Sequence, residues 1–541
     1  MAIEISRRPP HLKGRLGKKA VGQRSGAPRV TEPLFELRLD LPAAGSRDAS
    51  RSLYEQLKAA IVDGRLAPGA RLPGTRQSAA FLGVSRNTAA AVYERLASER
   101  LVVSRAGSGV FVAPRASHAP PRRPRNVPAV LRPAARLNPI WLRPDVTGAI
   151  GFWKEAADDE RRGSGSGQVD FRPALVDSRL FPFEVFRRVS AKQIRVLERR
   201  PAAFVSPQGN QGNYRLREAI TRHIAVTRAV VCGPAEILVT SGAQQAFDVL
   251  ARTLVTPDRT VVALEDPGYP PLRAALLAAG ARVVPVPVDA EGMVVDAIPA
   301  DAEAICVCPS HQFPLGAALS PARRRDLISL ARRRSALIIE DDYDGEFRFE
   351  GGTLEALRTA DAADLVFYVG TFSKCMLPAL RLGYIAAPPW AMPTLVAAKN
   401  CMDWHSPVPI QAAVAGFIAE GHLTRHVRKM REVYRRRRDT LLDALTRELS
   451  QWLEPIPSFY GMHIAAIAKP GVDAEAAAAA AVDAGVRIHT LSRYFQGPPD
   501  RGGMVFGYGV ADVPQIALGL RRLREAFQGG VKVSARAQRR P

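Results

Sequence analysis

The chain has 541 residues, 47% hydrophobic and 24% charged, which are globular values for a protein too long to have one ordinary core, so two or three domains are expected. Its net charge of +24 suits a polyanionic partner, although solvated basic tails would give the same count. Five scattered cysteines, Cys232, Cys306, Cys308, Cys375 and Cys401, argue against a disulfide framework and offer no metal-site spacing, so no metal and a reduced, cytoplasmic setting are expected. No apolar run approaches membrane-spanning length, and the basic start lacks the apolar core of a signal peptide.

Residues 1–45 are rich in Pro, Gly and Arg and read as a flexible basic arm. Residues 46–113 carry a compact pattern, and residues 114–168, with many prolines and arginines and ending in Gly163-Ser164-Gly165-Ser166-Gly167, read as a linker. From 169 to 528 short β-branched runs alternate with amphipathic segments. That alternation is the signature of βα units around a large, mostly parallel sheet, with a smaller α+β lobe in the C-terminal third. Residues 529–541 read as a basic tail.

In the first compact segment Leu53, Leu57, Ala60 and Ile61 share a helical face that stops at Gly64. A short helix through Arg76, Ala79, Ala80 and Leu82 ends at Gly83, and Ser85 is placed to cap a third helix that turns Val92, Tyr93 and Leu96 inward. Two short helices joined by a tight glycine turn make a helix-turn-helix, with Arg86, Asn87 and Thr88 at the exposed start of the second. Two alternating runs around Ala106-Gly107-Ser108-Gly109 add a hairpin wing beside Arg105. A helical packing module with a solvated basic face is the bland alternative, and the order helix, turn, helix, wing argues against it. With Gly69-Ala70-Arg71-Leu72-Pro73, Leu82-Gly83-Val84-Ser85-Arg86 and Gly107-Ser108-Gly109, the run resembles the DNA-binding domain of the GntR family. The resemblance implies binding of a double-stranded DNA operator through Arg76, Ser85, Arg86, Asn87, Thr88, Arg105 and Gly107.

The strongest chemical signal in the large segment is Gly370-Thr371-Phe372-Ser373-Lys374 after an apolar strand, with Arg381 downstream. A lysine that links to a phosphorylated carbonyl compound needs an anion clamp, and hydroxyls with an arginine fork supply one. A buried strand ends in Glu340-Asp341-Asp342-Tyr343-Asp344, where a solvated strand end is the alternative. There Asp341 and Tyr343 share a face, the first suited to a pyridine nitrogen and the second to a phenolic oxygen. Ser241-Gly242-Ala243-Gln244 opens a helix as a phosphate cradle would, and Tyr269 closes a strand where its ring could stack.

In this order the elements resemble fold-type I aminotransferases, as do His311-Gln312-Phe313-Pro314-Leu315-Gly316 and the helix from His426 to Arg438. Together with the first module, the whole chain resembles the MocR/GabR subfamily of regulators. The resemblance implies pyridoxal 5'-phosphate (PLP) linked to Lys374, Asp341 at the pyridine nitrogen, Tyr343 at the phenolic oxygen and Tyr269 on the ring. It places Ser241, Gly242, Ala243, Gln244, Thr371, Ser373 and Arg381 around the phosphate. It also implies a head-to-tail homodimer that senses an amine, an amino acid or PLP itself. Four positions depart from the pattern: Phe313 replaces an asparagine, Pro207 stands near an expected tyrosine, Met504 stands where an arginine would take a carboxylate, and Pro270-Pro271 replace the arginine of GABA-responsive relatives. Arg493 is the candidate for an effector carboxylate and Arg501 the reserve. An active aminotransferase carrying a DNA-binding module is the second reading, and a cofactor-free dimerisation scaffold the third.

Overall fold

The computed structural model describes residues 39–42, 46, 48–105, 109–114, 138–151, 167–199, 209–350 and 355–537. They fall into two compact units, Met1–Leu137 and Asn138–Pro541.

In the first unit, helix α1 (Ala49–Val62) buries Leu53, Tyr54, Leu57, Ala60 and Ile61 on one side, which is the apolar stripe that the spacing requires. Helices α2 (Thr75–Leu82) and α3 (Arg86–Ser98) follow. Gly83 joins them at φ 66°, a left-handed conformation that strains any residue with a Cβ. Ser85 caps α3, its Oγ accepting the Thr88 N–H at 3.0 Å, a contact worth ~1 kcal/mol. Strands β1 (Arg71–Leu72), β2 (Val102–Arg105) and β3 (Gly109–Val112) pair in the order β1-β3-β2. The wing lies between β2 and β3, with Arg105 opposite Gly109. Leu39 and Leu41 pack on this core, and Gln56 Nε2 donates to Asp40 O at 2.7 Å. The last described residues of the segment read as a free arm therefore belong to the module.

The second unit is built on an eight-stranded sheet, ordered β5-β12-β11-β10-β9-β6-β7-β8. After β4 (Val169–Asp170) come β5 (Ile237–Thr240), β6 (Val261–Asp266), β7 (Arg282–Asp289), β8 (Gly292–Met293), β9 (Ala304–Val307), β10 (Leu337–Asp342), β11 (Val366–Thr371) and β12 (Gly383–Ala386). The strands from β11 to β7 run parallel, while β12 is antiparallel to both β11 and β5. Alternate residues feed separate cores. Leu264, Phe367 and Ile385 pack with helices Ala243–Leu254 and Met392–Asp403, whereas Ile305, Ile338 and Val366 pack with helix Pro321–Arg334. The smaller lobe adds β13 (Leu453–Pro455), β14 (His463–Ala468), β15 (Val486–Arg487), β16 (His489–Thr490) and β17 (Gly503–Gly507), with sheet order β13-β14-β17-β16. Strand β4 pairs in parallel with β15, so the start of the unit is bound into its last third.

Two segments differ from the sequence boundaries. Pro144–Gly151, inside the stretch read as linker, is a helix whose Val146 is buried in the large-sheet core. An apolar residue with a docking partner outweighs the surrounding proline-rich composition. The terminal helix runs from Val513 to Ala537, past the boundary at 528.

The alternative of a solvated strand end after β10 is overturned: Glu340, Asp341, Asp342 and Asp344 are all buried. Burial is tolerable because partners were built beside them. Glu340 accepts the backbone N–H groups of Leu357 and Arg358 at 2.9 and 3.1 Å. Asp342 lies 2.6 Å from the Arg228 guanidinium and accepts the Tyr368 hydroxyl at 2.5 Å. Arg228→Ala strands the buried Asp342 carboxylate and is expected to cost roughly 3–5 kcal/mol, read as a lower unfolding midpoint of the large unit. An unchanged midpoint would show that Asp342 finds other compensation.

Candidate cofactor site and nucleic-acid interface

The proposed cofactor residues gather at the carboxyl ends of the parallel strands, where open α/β sheets hold ligands. Lys374 lies three residues beyond β11, half-buried, and its Nζ donates to Ala174 O at 2.5 Å. Burial brings its ammonium down to about 8, against the opposing pull of Asp344 and Asp341. Asp341 comes from the neighbouring β10. Burial, with Asp342 and Asp344 adding to it, pushes its carboxyl up to about 7. Its Oδ2 accepts the Cys308 thiol at 3.7 Å, and its Oδ1, fully enclosed, has no partner.

Tyr343 does not point into open space. Its hydroxyl donates to His311 O at 3.0 Å and sits 2.9 Å from His311 Nδ1. That Nδ1 is also 3.0 Å from Asp344 Oδ2, and the His463 ring lies 4.4 Å from the His311 ring. Burial holds His311 neutral, down to about 3. His311, Asp344 and His463 are the one group among the described residues with donor atoms close enough for a metal, within 4.8 Å of one another. Hydrogen bonds already occupy them: Asp344 engages His311, and His463 Nε2 meets Pro314 O at 2.9 Å. They form a buried polar wall. Tyr269, at the end of β6, meets Phe313 and Phe247 edge-on at 5.6 and 6.3 Å. Phe313, in place of the asparagine, also packs edge-on against Tyr343, His463 and Tyr494, so an aromatic box replaces a polar contact.

The anion cradle assembles from two strand ends that β12 holds side by side. Gly242, at φ 85°, opens helix Ala243–Leu254 without a side-chain cap, so the helix N-terminus keeps its backbone donors. A Cβ on Gly242 would lie 3.0 Å from Arg381 Nη2; that nitrogen donates to Ser241 O at 3.1 Å. Thr371 Oγ1 donates to Ser373 Oγ at 3.0 Å and accepts the Ser373 N–H at 3.1 Å. Gln244 turns away, its amide donating to Pro271 O at 3.2 Å.

The candidates for an effector carboxylate stand differently. Arg501 is paired with Asp500 at 2.8 Å. Arg493 is exposed on the turn Leu491–Tyr494. Met504 is fully buried in β17, and Pro207 lies outside the described residues. Sequence reasoning missed Ser406, whose Oγ is 3.2 Å from Ser241 Oγ, along with His463, Glu265 and the role of Cys308. Glu265 opens the run Glu265-Asp266-Pro267-Gly268-Tyr269, which drew notice only for Tyr269; the others carry no local motif, and only the fold brings them to the site.

On the first unit Arg76, Ser85, Arg86 and Asn87 are exposed and Thr88 is half-buried. The hydroxyls of Ser85 and Thr88 lie 2.8 Å apart, so the cap engages both. The Arg105 guanidinium sits 4.8 Å over the Phe111 ring. Exposed Arg71 was not singled out as a contact; it lies on β1 with its Nε 3.2 Å from where a Gly109 Cβ would be. Gly107 lies outside the described residues.

Family models agree with both units. Residues 49–112 match the gntR family of bacterial regulatory proteins, and residues 180–493 match aminotransferase class I and II. The chain is 33% identical over 478 residues to the probable rhizopine catabolism regulatory protein MocR of Rhizobium meliloti, covering 88% of this chain and 93% of that protein. It is 31% identical to the pyridoxine biosynthesis transcriptional regulator PdxR of Corynebacterium glutamicum, covering 88% and 96%. Among solved structures, the α-aminoadipate aminotransferase LysN of Thermus thermophilus superposes with a TM-score of 0.62 at 28% identity, covering 70% of this chain and 99% of that one. This chain belongs to the MocR-type transcription regulators, in which a GntR winged helix-turn-helix module is fused to a domain of the class I and II aminotransferase fold.

Proposed function

We propose that the large unit binds PLP at Lys374, and that an amine, an amino acid or PLP itself, taken up there, changes how the winged module of a head-to-tail homodimer holds its operator. The observation that carries this reading is Asp341: a buried carboxylate with an unpartnered oxygen, at the same sheet edge as a half-buried lysine whose pKa is lowered. A pyridine N–H would satisfy that oxygen. When bound, PLP supplies an electrophilic carbonyl carbon and an electron-accepting ring.

The residues of the chain bind and orient it. Lys374 offers a nucleophilic amine at moderately alkaline pH. Tyr343, whose hydroxyl is held by His311, would meet the ring oxygen, and the Tyr269 ring would cover a face. Gly242, Ala243 and Gln244 offer the backbone donors of a helix start, and Ser241 its hydroxyl, since its N–H is donated to Gln245 Oε1. Thr371, Ser373 and Arg381 add hydroxyls and a fixed cation for the phosphate. On the DNA side, exposed Arg76, Arg86, Asn87 and Arg105 would meet bases and phosphates, while Ser85 and Thr88 shape the start of α3. That one relative is a regulator of pyridoxine biosynthesis supports PLP itself as an effector. Arg493 is the residue proposed for an effector carboxylate. The relatives are regulators, which favours sensing over turnover.

Three outcomes are expected. When the protein is mixed with PLP and reduced with borohydride, mass spectrometry finds the adduct on Lys374, and Lys374→Ala takes none. The lowered pKa leaves the amine as unreactive ammonium below about 8, so the rate of attachment rises with pH and levels off above that value; a plateau only above 10 would show an ordinary surface lysine. Arg86→Ala weakens operator binding by about 1–3 kcal/mol, roughly 5- to 150-fold, in electrophoretic or anisotropy titrations. Equal affinity would remove Arg86 from the interface.

A further inference from the structure

Three neighbouring strands set a second carboxyl group behind Asp341. Glu265 lies in β6, Cys308 directly follows β9, and Asp341 lies in β10; β6, β9 and β10 are adjacent in the sheet. The Cys308 N–H donates to Glu265 Oε2 at 3.1 Å, and Gln312 Nε2 reaches the same oxygen at 3.5 Å. The Cys308 thiol donates to Asp341 Oδ2 at 3.7 Å. Glu265 is 4% exposed and Asp341 5%, so one residue links two dry carboxyl groups, Cys308 meeting Glu265 through its backbone N–H and Asp341 through its thiol.

Both donors on Glu265 are neutral, and among the described residues no lysine or arginine forms an ion pair with it. The groups facing the pair are Cys306, Cys308, Gln312 and Tyr343, with Asp342, Asp344 and Lys374 on the Asp341 side. The one cation in this set, Lys374, therefore acts on Asp341, and a pyridinium would do the same. Two carboxylates this close in a dry site cannot both stay charged, and the one further from positive charge keeps the proton.

We propose that Glu265 is a positioning residue for the cofactor: a neutral carboxylic acid that, across Cys308, leaves Asp341 as the anion that would pair with the pyridine nitrogen. Glu265 accepts the Cys308 backbone N–H, and the Cys308 S–H faces Asp341. Burial pushes both carboxyl groups up, Glu265 to about 8 and Asp341 to about 7, and holds the Cys308 thiol well above its ordinary range. When Glu265 does lose its proton in alkali, a second anion appears behind the ring and holds protons on the bound chromophore.

The inference rests on the cofactor reading above, and its test separates the two. Full-length protein is loaded with PLP and its visible spectrum is titrated from about pH 6 to about pH 10. In parallel, infrared spectra of the unloaded protein at neutral pH report protonated carboxyl groups. Glu265→Gln keeps a neutral hydrogen-bonding group but cannot ionise. It is expected to lower the alkaline midpoint of the chromophore by about one pH unit, a tenfold change in proton affinity, and to remove one protonated-carboxyl band. Glu265→Asp, which can ionise, keeps both near wild type; a purely structural role predicts the reverse ranking. A loaded Glu265→Gln protein that titrates as wild type does, or that keeps the infrared band, overturns the inference. A wild-type protein that takes up no PLP overturns the cofactor reading itself.

Discussion

The structure of the large unit depends on burying four acidic residues within five positions at the end of one parallel strand. Charged carboxyl groups are expensive to remove from water unless partners are supplied, and here each has a different one. Glu340 is held by two backbone N–H groups, Asp342 by Arg228 and Tyr368, and Asp344 by His311. Asp341 alone keeps an oxygen with no partner. A fold that compensates three acids and leaves the fourth half-satisfied, beside a lysine of lowered pKa, supports the proposal of a positively charged ligand atom there.

The rest of the unit serves that strand end. Strand β12 runs against its neighbours and brings the end of β5, with Gly242 and the helix start, alongside β11 with Thr371, Ser373 and Lys374. Without that antiparallel strand the anion cradle and the lysine would belong to separate edges. The smaller lobe contributes His463 and the start of the unit contributes Ala174, whose carbonyl receives the Lys374 ammonium. The first unit follows a simpler logic: a glycine in a left-handed turn fixes α2 against α3, and the cap at Ser85 sets where α3 begins.

Much of this was legible in the residues. The helix-turn-helix and wing follow from apolar spacing, Gly83 and Ser85, because those constraints are local. Lys374, Asp341, Arg381 and Ser241-Gly242 were visible because each sits at a strand end marked by its own motif. Other features were hidden. The acidic run was open to a solvated reading, since sequence does not show Arg228 folding back onto Asp342 from a distant helix. Tyr343 was expected to have its hydroxyl open to a cofactor, and only the fold shows that His311 holds it. Cys308 was one of five scattered cysteines with no motif, yet its thiol reaches a carboxylate across strands. Ser406 and His463 come from segments without a motif, and Glu265 heads a run whose visible signal was Tyr269. The boundaries at 45, 168 and 528 were drawn from composition, which does not register single anchors such as Leu41 and Val146 or a helix continuing to Ala537.

The central claim is that the site around Lys374 speaks to the DNA-binding module. An effector can shift that equilibrium only by binding two states unequally, with couplings typically of about 1–3 kcal/mol. The direct measurement is operator affinity for unloaded and PLP-loaded protein at one fixed salt concentration, in wild type and in Lys374→Ala. The account predicts a change of roughly 5- to 150-fold on loading the wild type, and none in the variant. Equal affinities for loaded and unloaded wild type, with or without added amines and amino acids, would contradict it.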